Sequence, residues 1–159
     1  MTRYIVSFLL FLSIVLAEHC YAIRPPGTVK VKLNRQVLYV DKGDIKNIDW
    51  VEYIVWQKQK DTLFVMSHVD SATRTKAHNR HLPLVGITRE QAETYSQWRT
   101  ERVNELPKFI KSRKTVCYTL LTEEQCQLLS QKRKWSKQKL EANPFPTKGF
   151  RCVATMKKM

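Results

Sequence analysis

The chain has 159 residues, 43% of them hydrophobic and 26% charged, with a formal net charge of +14. That composition excludes a disordered chain, and the length excludes more than one ordinary domain with a sizeable core. With 4 glycines in all and no Gly-x-x-x-x-Gly-Lys run, a phosphate-cradling loop is excluded as well.

The first element reads as an export signal. Arg3 supplies a short positive region, and Tyr4 to Ala17 is an uncharged run of 14 residues, below the roughly 20 that a spanning helix needs. Glu18 and His19 end the run, and Cys20-Tyr21-Ala22 places small residues at the −3 and −1 positions of a cut after Ala22. Val15-Leu16-Ala17 offers an earlier cut, and a retained anchor helix is a further reading. A lipidated Cys20 is the third, opposed by Glu18 and His19, where a lipoprotein signal wants small residues. Residues 1–22 are therefore expected to be a signal peptide, and 23–159 a single domain sent to the periplasm, the outer-membrane surface or the medium. Removing 22 of the 159 residues leaves 137, and because Arg3 and Glu18 cancel, these keep the full charge of +14.

After a Pro/Gly lead-in over Ile23 to Thr28, Val29 to Val40 alternates imperfectly and predicts one or two strands. A short helix follows from about Ile48 to Gln59, with Trp50, Tyr53, Ile54 and Gln57 on one stripe and Asn47 placed to cap it. Ser67 to His81 is polar and reads as loop, and Pro83 to Ile87 as a buried extended piece. Thr88-Arg-Glu-Gln91 is a capping box opening a helix to about Asn104 that buries Ala92, Tyr95, Trp98 or Arg99, and Val103. Thr122-Glu-Glu-Gln125 is a second box, opening a shorter helix that carries Cys126, Leu128 and Leu129, with Glu123 and Glu124 suited to its dipole. A turn at Asn143 to Lys148 leads to a last strand at Gly149 to Ala154.

The chemistry visible along the chain is mostly charge. Lys108 to Arg113 and Lys132 to Lys139 are basic clusters, and Met156-Lys-Lys-Met159 is basic too. In an exported protein such a surface suits an acidic envelope protein, an anionic glycan or a lipid surface rather than nucleic acid. The candidate contacts are Arg99, Arg102, Lys108, Lys111, Arg113, Lys132, Arg133, Lys134 and Lys137. Cys117, Cys126 and Cys152 remain after the signal; three thiols allow one disulfide at most, and none of their spacings is a metal knuckle or a redox pair. His78 and His81 have a metal-like spacing, with His68 and Asp70 upstream, but sit in polar loop and are expected to be solvated. Glu123 and Glu124 point in different directions on a helix, so they are no acid/base pair, and no nucleophile elbow is present. No catalytic residue, cofactor or metal is expected.

Four separated pieces resemble the formylglycine-generating enzyme family, the sulfatase-modifying-factor domain. Leu38 to Tyr53 is similar to the family's opening strand ending in Asp-Lys and leading into a helix. Pro83 to Trp98 resembles its Pro-Val-x-x-Val-Ser/Thr-Trp-x-x-Ala-x-x-Tyr-Cys-x-Trp segment. Tyr118 to Gln125 resembles its Tyr-Arg-Leu-Pro-Thr-Glu-Ala-Glu stretch, and Gly149-Phe-Arg151 its closing Gly-Phe-Arg. The Trp98-Arg-Thr-x-Arg-Val-Asn104 extension looks most like the gliding-motility lipoproteins of Bacteroidetes, which use this domain without the enzyme's chemistry. The resemblance implies a small α+β domain of C-type-lectin-like character, two to three helices on an irregular antiparallel sheet, with the terminal strands paired. It also marks departures. Leu121, Arg89 and Ser96 stand where the family has Pro, Trp and Cys. Family enzymes carry a copper-binding cysteine pair before Gly-Phe-Arg, whereas Gln131 to Lys148 holds no cysteine, and Cys152 follows Gly149-Phe-Arg with no nearby partner. The expectation is a shortened, non-catalytic envelope module; the alternative is a divergent formylglycine-type oxidoreductase using two of the three cysteines.

Overall fold

The computed structural model describes residues 23–60, 79–135, 137–138 and 140–159. The export signal, most of the 67–81 loop and Lys139 lie outside the described residues. What is described is an α+β domain, as expected: a four-stranded antiparallel sheet in the order β1-β2-β4-β3, with helices on both faces.

β1 (Thr28–Leu33) and β2 (Gln36–Asp41) form a hairpin, so the Val29 to Val40 stretch is two strands. Asn34 and Arg35 close it with φ of 43° and 67°, the left-handed pair that a two-residue I′ turn requires. β2 pairs with β4 (Cys152–Lys158) through Tyr39 and Val40 opposite Ala154 and Val153. β4 in turn pairs along its length with β3 (Lys114–Leu120).

Period-2 alternation divides the core in two. Tyr39, Val116, Tyr118, Leu120, Cys152 and Ala154 point to one face. Three helices cover it: α1 (Asn47–Lys60), α2 (Arg89–Asn104) and α3 (Pro107–Ser112). Val31, Leu33, Leu38, Val40 and Val153 point to the other, where α4 (Glu123–Ser130) and Trp135 pack on them. The first layer is rich in rings: Trp50, Tyr53, Tyr95 and Trp98 have adjacent centroids 5.0–5.4 Å apart, and Phe150 meets Tyr95 edge-on at 6.1 Å.

Both capping boxes form. The Thr88 and Thr122 hydroxyls accept from the amides of Gln91 and Gln125, whose side chains accept from the threonine amides in return. α1 starts differently from the expectation. Asn47 lies inside the helix and turns its amide nitrogen to the Asn79 carbonyl, while the Asp49 carboxylate accepts from the Lys46 amide. The Asp49 carboxylate thus satisfies the amide before the helix, while the Asn47 side chain is engaged with Asn79.

Three further expectations are corrected. α3 and β3 replace the undivided basic stretch around Lys108 to Arg113, with Phe109 buried beneath α3. The last strand is Cys152–Lys158, displaced toward the C-terminus from Gly149 to Ala154. Gly149 is too tightly seated to join the ladder (a Cβ there would lie 3.0 Å from Asp44 and from Pro83), and the Phe150 carbonyl accepts from the Ile45 amide. The 131–148 link is more than a basic connector: Trp135 is 2% exposed and anchors it on the second face of the sheet.

One buried ion pair joins these parts. Asp41, at the end of β2, receives both terminal nitrogens of Arg99 from α2 at 2.8 Å, and the Cys152 amide from β4 at 2.9 Å. The Arg99 guanidinium lies over the Tyr118 ring of β3, 4.2 Å from its centroid, and also donates to the Pro26 carbonyl. Truncating one member of such a pair strands the other, so Arg99→Ala is expected to destabilise the domain by about 3–5 kcal/mol. Arg102→Ala, which removes an exposed pair with Glu105, should change stability by less than about 1 kcal/mol. Urea unfolding of the two variants beside the parent checks the contrast.

Candidate anion-binding surface

A cleft of about 700 Å³ lies between the β2–α1 turn and α2, with Tyr95 and Trp98 in its lining. Several of its charged groups are matched within the protein. Asp41 holds Arg99, Asp44 accepts from Arg151 Nε at 2.7 Å, Asp49 takes the Lys46 amide, and Arg102 pairs with Glu105 at 2.5 Å. Arg151 also reaches Gln138 and lies over the Trp135 ring, so it pins the link to the β2–α1 turn. The cleft is thus a junction where Asp41, Arg99, Asp44 and Arg102 are held by protein partners, while the exposed Lys42, Lys46 and Glu52 line it as well.

The nine cations singled out in the sequence separate into three places. Arg99 leaves the set: its side chain is only 15% exposed and both terminal nitrogens are bound to Asp41, so it faces inward. Arg102 sits at the cleft rim, over the Trp56 ring and beside Glu105. Lys108, Lys111 and Arg113 are exposed on α3 and at its end. Lys132, Arg133, Lys134 and Lys137 are exposed around buried Trp135, on the opposite face of the sheet from α3. Lys132 there shares a shallow groove with Lys32 and Asn34 of the β1–β2 hairpin.

The nine candidate contacts omit three other lysines that the sheet gathers along one groove, of which Lys158 belongs to the basic Met156 to Met159 ending. Antiparallel register places Lys114 opposite Lys158, and Lys30 lines the same groove of about 260 Å³ at this end of the sheet. The signal for them was in the residues: Lys157 and Lys158 are separated from Lys114 by more than 40 positions and meet only through β3–β4 pairing.

The three thiols are all free, and Cys152 and Cys126 lie on opposite faces of the sheet. Cys152 lies in the helix-covered cluster, Cys126 in the cluster on the opposite face, and Cys117 is exposed on the edge strand β3. Burial pushes the Cys126 thiol up to about 11 and the Cys152 thiol up to about 12, so both are protonated near neutrality. A copper site of the family's kind needs two converging thiolates, and the sheet separates Cys152 from Cys126, so that pair does not fit it. His81 is exposed and accepts from Arg80 Nε, while His68, Asp70 and His78 lie outside the described residues. No cluster of three or more metal-ligating side chains occurs among the described residues. None of their helices is long and apolar enough to cross a membrane.

Compared with protein-family models, with curated proteins and with solved structures, the chain matches none.

The thiols generate a prediction. Cys126 and Cys152 hold their protons in the folded state up to about 11 and 12, against an ordinary thiol value of 9.0, and burial raises Tyr95 and Tyr118 in the same direction. Above about pH 9 the folded chain therefore binds more protons than the unfolded one, and stability falls as pH rises. The contribution is complete below about pH 9 and is lost between there and pH 12. Denaturation midpoints across that range should decline, with a shallower decline in Cys152→Ala. In the native protein only Cys117 should react promptly with an aromatic disulfide reagent. Rapid labelling of Cys126 or Cys152 would contradict the burial described.

Proposed function

We propose that this chain is an exported, non-catalytic binding module of the bacterial cell envelope, a shortened relative of the formylglycine-generating enzyme framework with its C-type-lectin-like character. The observation that carries the reading is the segregation of charge. Arginines 99 and 151 are turned inward onto Asp41 and Asp44, whereas Lys108, Lys111, Lys132, Lys134 and Lys137 are exposed, and none of these lysines is in an ion pair among the described residues. The family resemblance is supported by the pairing of the opening hairpin with the last strand, and by two capped helices at Arg89–Asn104 and Glu123–Ser130. The export reading rests on the apolar run from Tyr4 to Ala17. Separation of the protonated thiols Cys126 and Cys152 speaks against the oxidoreductase alternative.

The partner is an acidic envelope protein or an anionic glycan or lipid surface, held by exposed lysines. Attraction between exposed charges is screened by salt, with a Debye length falling from about 10 Å at 0.1 M to about 3 Å at 1 M. Mild crosslinking of intact cells followed by co-purification is expected to recover an envelope component at low ionic strength, and to lose most of it across that salt range. Recovery that is indifferent to salt would sink the electrostatic reading. Tight Cu(I) binding by two of the cysteines, measured by thiol titration with and without the metal, would revive the oxidoreductase one.

A further inference from the structure

Resting on the binding-module reading, the geometry points to one end of the sheet, α3 with the adjoining ends of β3 and β4, as a docking surface for a membrane rich in anionic lipid headgroups. The segments that meet there carry no carboxylate side chain: none occurs from Leu106 to Thr122, and none from Ala142 to Met159. They do carry Lys108, Lys111, Arg113, Lys114, Lys157 and Lys158, none of which is in an ion pair among the described residues. Arg113 ends α3 and Lys114 opens β3, and the Met159 amide donates to the Arg113 carbonyl, so helix and sheet cations form one continuous stretch.

Apolar side chains stand among these charges. Ile110 is 59% exposed and Leu106, four residues earlier, is 36% exposed, while Phe109 between them is fully buried and holds α3 to the sheet. Leu106 caps the helix and Ile110 lies within it, so the patch is a short exposed aliphatic pair on the element that carries Lys111 and Lys108, the latter with its ammonium 5.3 Å from the Phe109 ring centroid. On the same face of the sheet lies the groove of about 260 Å³ lined by Lys30, Lys114 and Lys158, with Val37 exposed beside it. This combination matches the headgroup–acyl boundary of a bilayer, where aliphatic groups enter and lysines meet anionic headgroups. An acidic glycan fits less well. Sugars are gripped by exposed ring faces, and here Phe109 and Tyr118 are both buried.

The test is flotation of the purified protein with vesicles of phosphatidylcholine alone and of phosphatidylcholine mixed with phosphatidylglycerol. Binding is expected only to the mixed vesicles and should weaken as salt rises. The double variant Lys108→Glu/Lys111→Glu should lower affinity about tenfold or more, and Ile110→Asn by about tenfold, with thermal unfolding like the parent's. Lys132→Glu/Lys134→Glu, on the other face, should do markedly less. An equal loss from both lysine pairs would overturn the assignment to α3, and equal binding to both vesicle types would overturn the anionic preference. If no vesicle is bound while crosslinking still captures a salt-sensitive protein or glycan, the lipid proposal fails and the binding-module reading stands. If neither occurs, both fail.

Discussion

The carboxylate of Asp41 is the point at which four chain segments separated in sequence are tied together. It ends β2, accepts two hydrogen bonds from Arg99 of α2 and one from the Cys152 amide at the start of β4, and through Arg99 reaches Tyr118 of β3. A carboxylate that is 4% exposed is expensive to desolvate, and burial alone pushes its proton affinity up. Three charge-assisted bonds offset that, in the fork geometry that only arginine supplies. The consequence is specificity of register. A one-residue slip of β4 against β2 would move the Cys152 amide away from Asp41 and turn the inward set of Cys152 and Ala154 to the wrong face.

A second pair three residues along extends the same logic. Asp44 receives Arg151, and Arg151 in turn lies on Trp135, so the β2–α1 turn is held from the α2 side and from the far face of the sheet at once. The 131–148 link has little regular structure, but one buried ring and one arginine fix it at the place where the turn, the sheet and the link meet. Arg99, Arg102 and Arg151 are held in these interior and rim pairs. Lysines, which hydrate more readily and bind less directionally, are left outside, and the net charge of +14 becomes a surface property.

What the residues disclosed in advance follows the range of the interactions involved. Capping boxes at Thr88 and Thr122 span three residues and were legible, as were the buried stripes of α1 and α2, which depend on a 3.6-residue period. The six-residue α3 is too short to establish a period, and its lysines masked the single buried Phe109. β3 alternates cleanly through Val116, Tyr118 and Leu120, yet its identity as a strand depends on pairing with β4, whose residues extend past the expected Gly149 to Ala154 into the terminal lysines. The helical period leaves Trp98 or Arg99 as the buried position and cannot supply Arg99's partner, because Asp41 is 58 residues away and only the assembled sheet brings them together.

The same long-range assembly decides what the charge can do. Considered along the chain, Lys108 to Arg113, Lys132 to Lys137 and Lys157-Lys158 are three equivalent basic runs. Folding makes them unequal. β3–β4 pairing joins the first and third, whereas the second is carried to the opposite face by Trp135. Both surfaces have a groove beside their lysines, but the joined runs also carry exposed aliphatic side chains, Ile110 and Leu106 on α3 and Val37 beside the groove. Charge attracts any anion, but a charged surface with Ile110 and Leu106 at its centre discriminates by whether the partner can also receive an apolar group. A soluble acidic protein offers that only through a matched pocket, and a bilayer offers it everywhere along its interface.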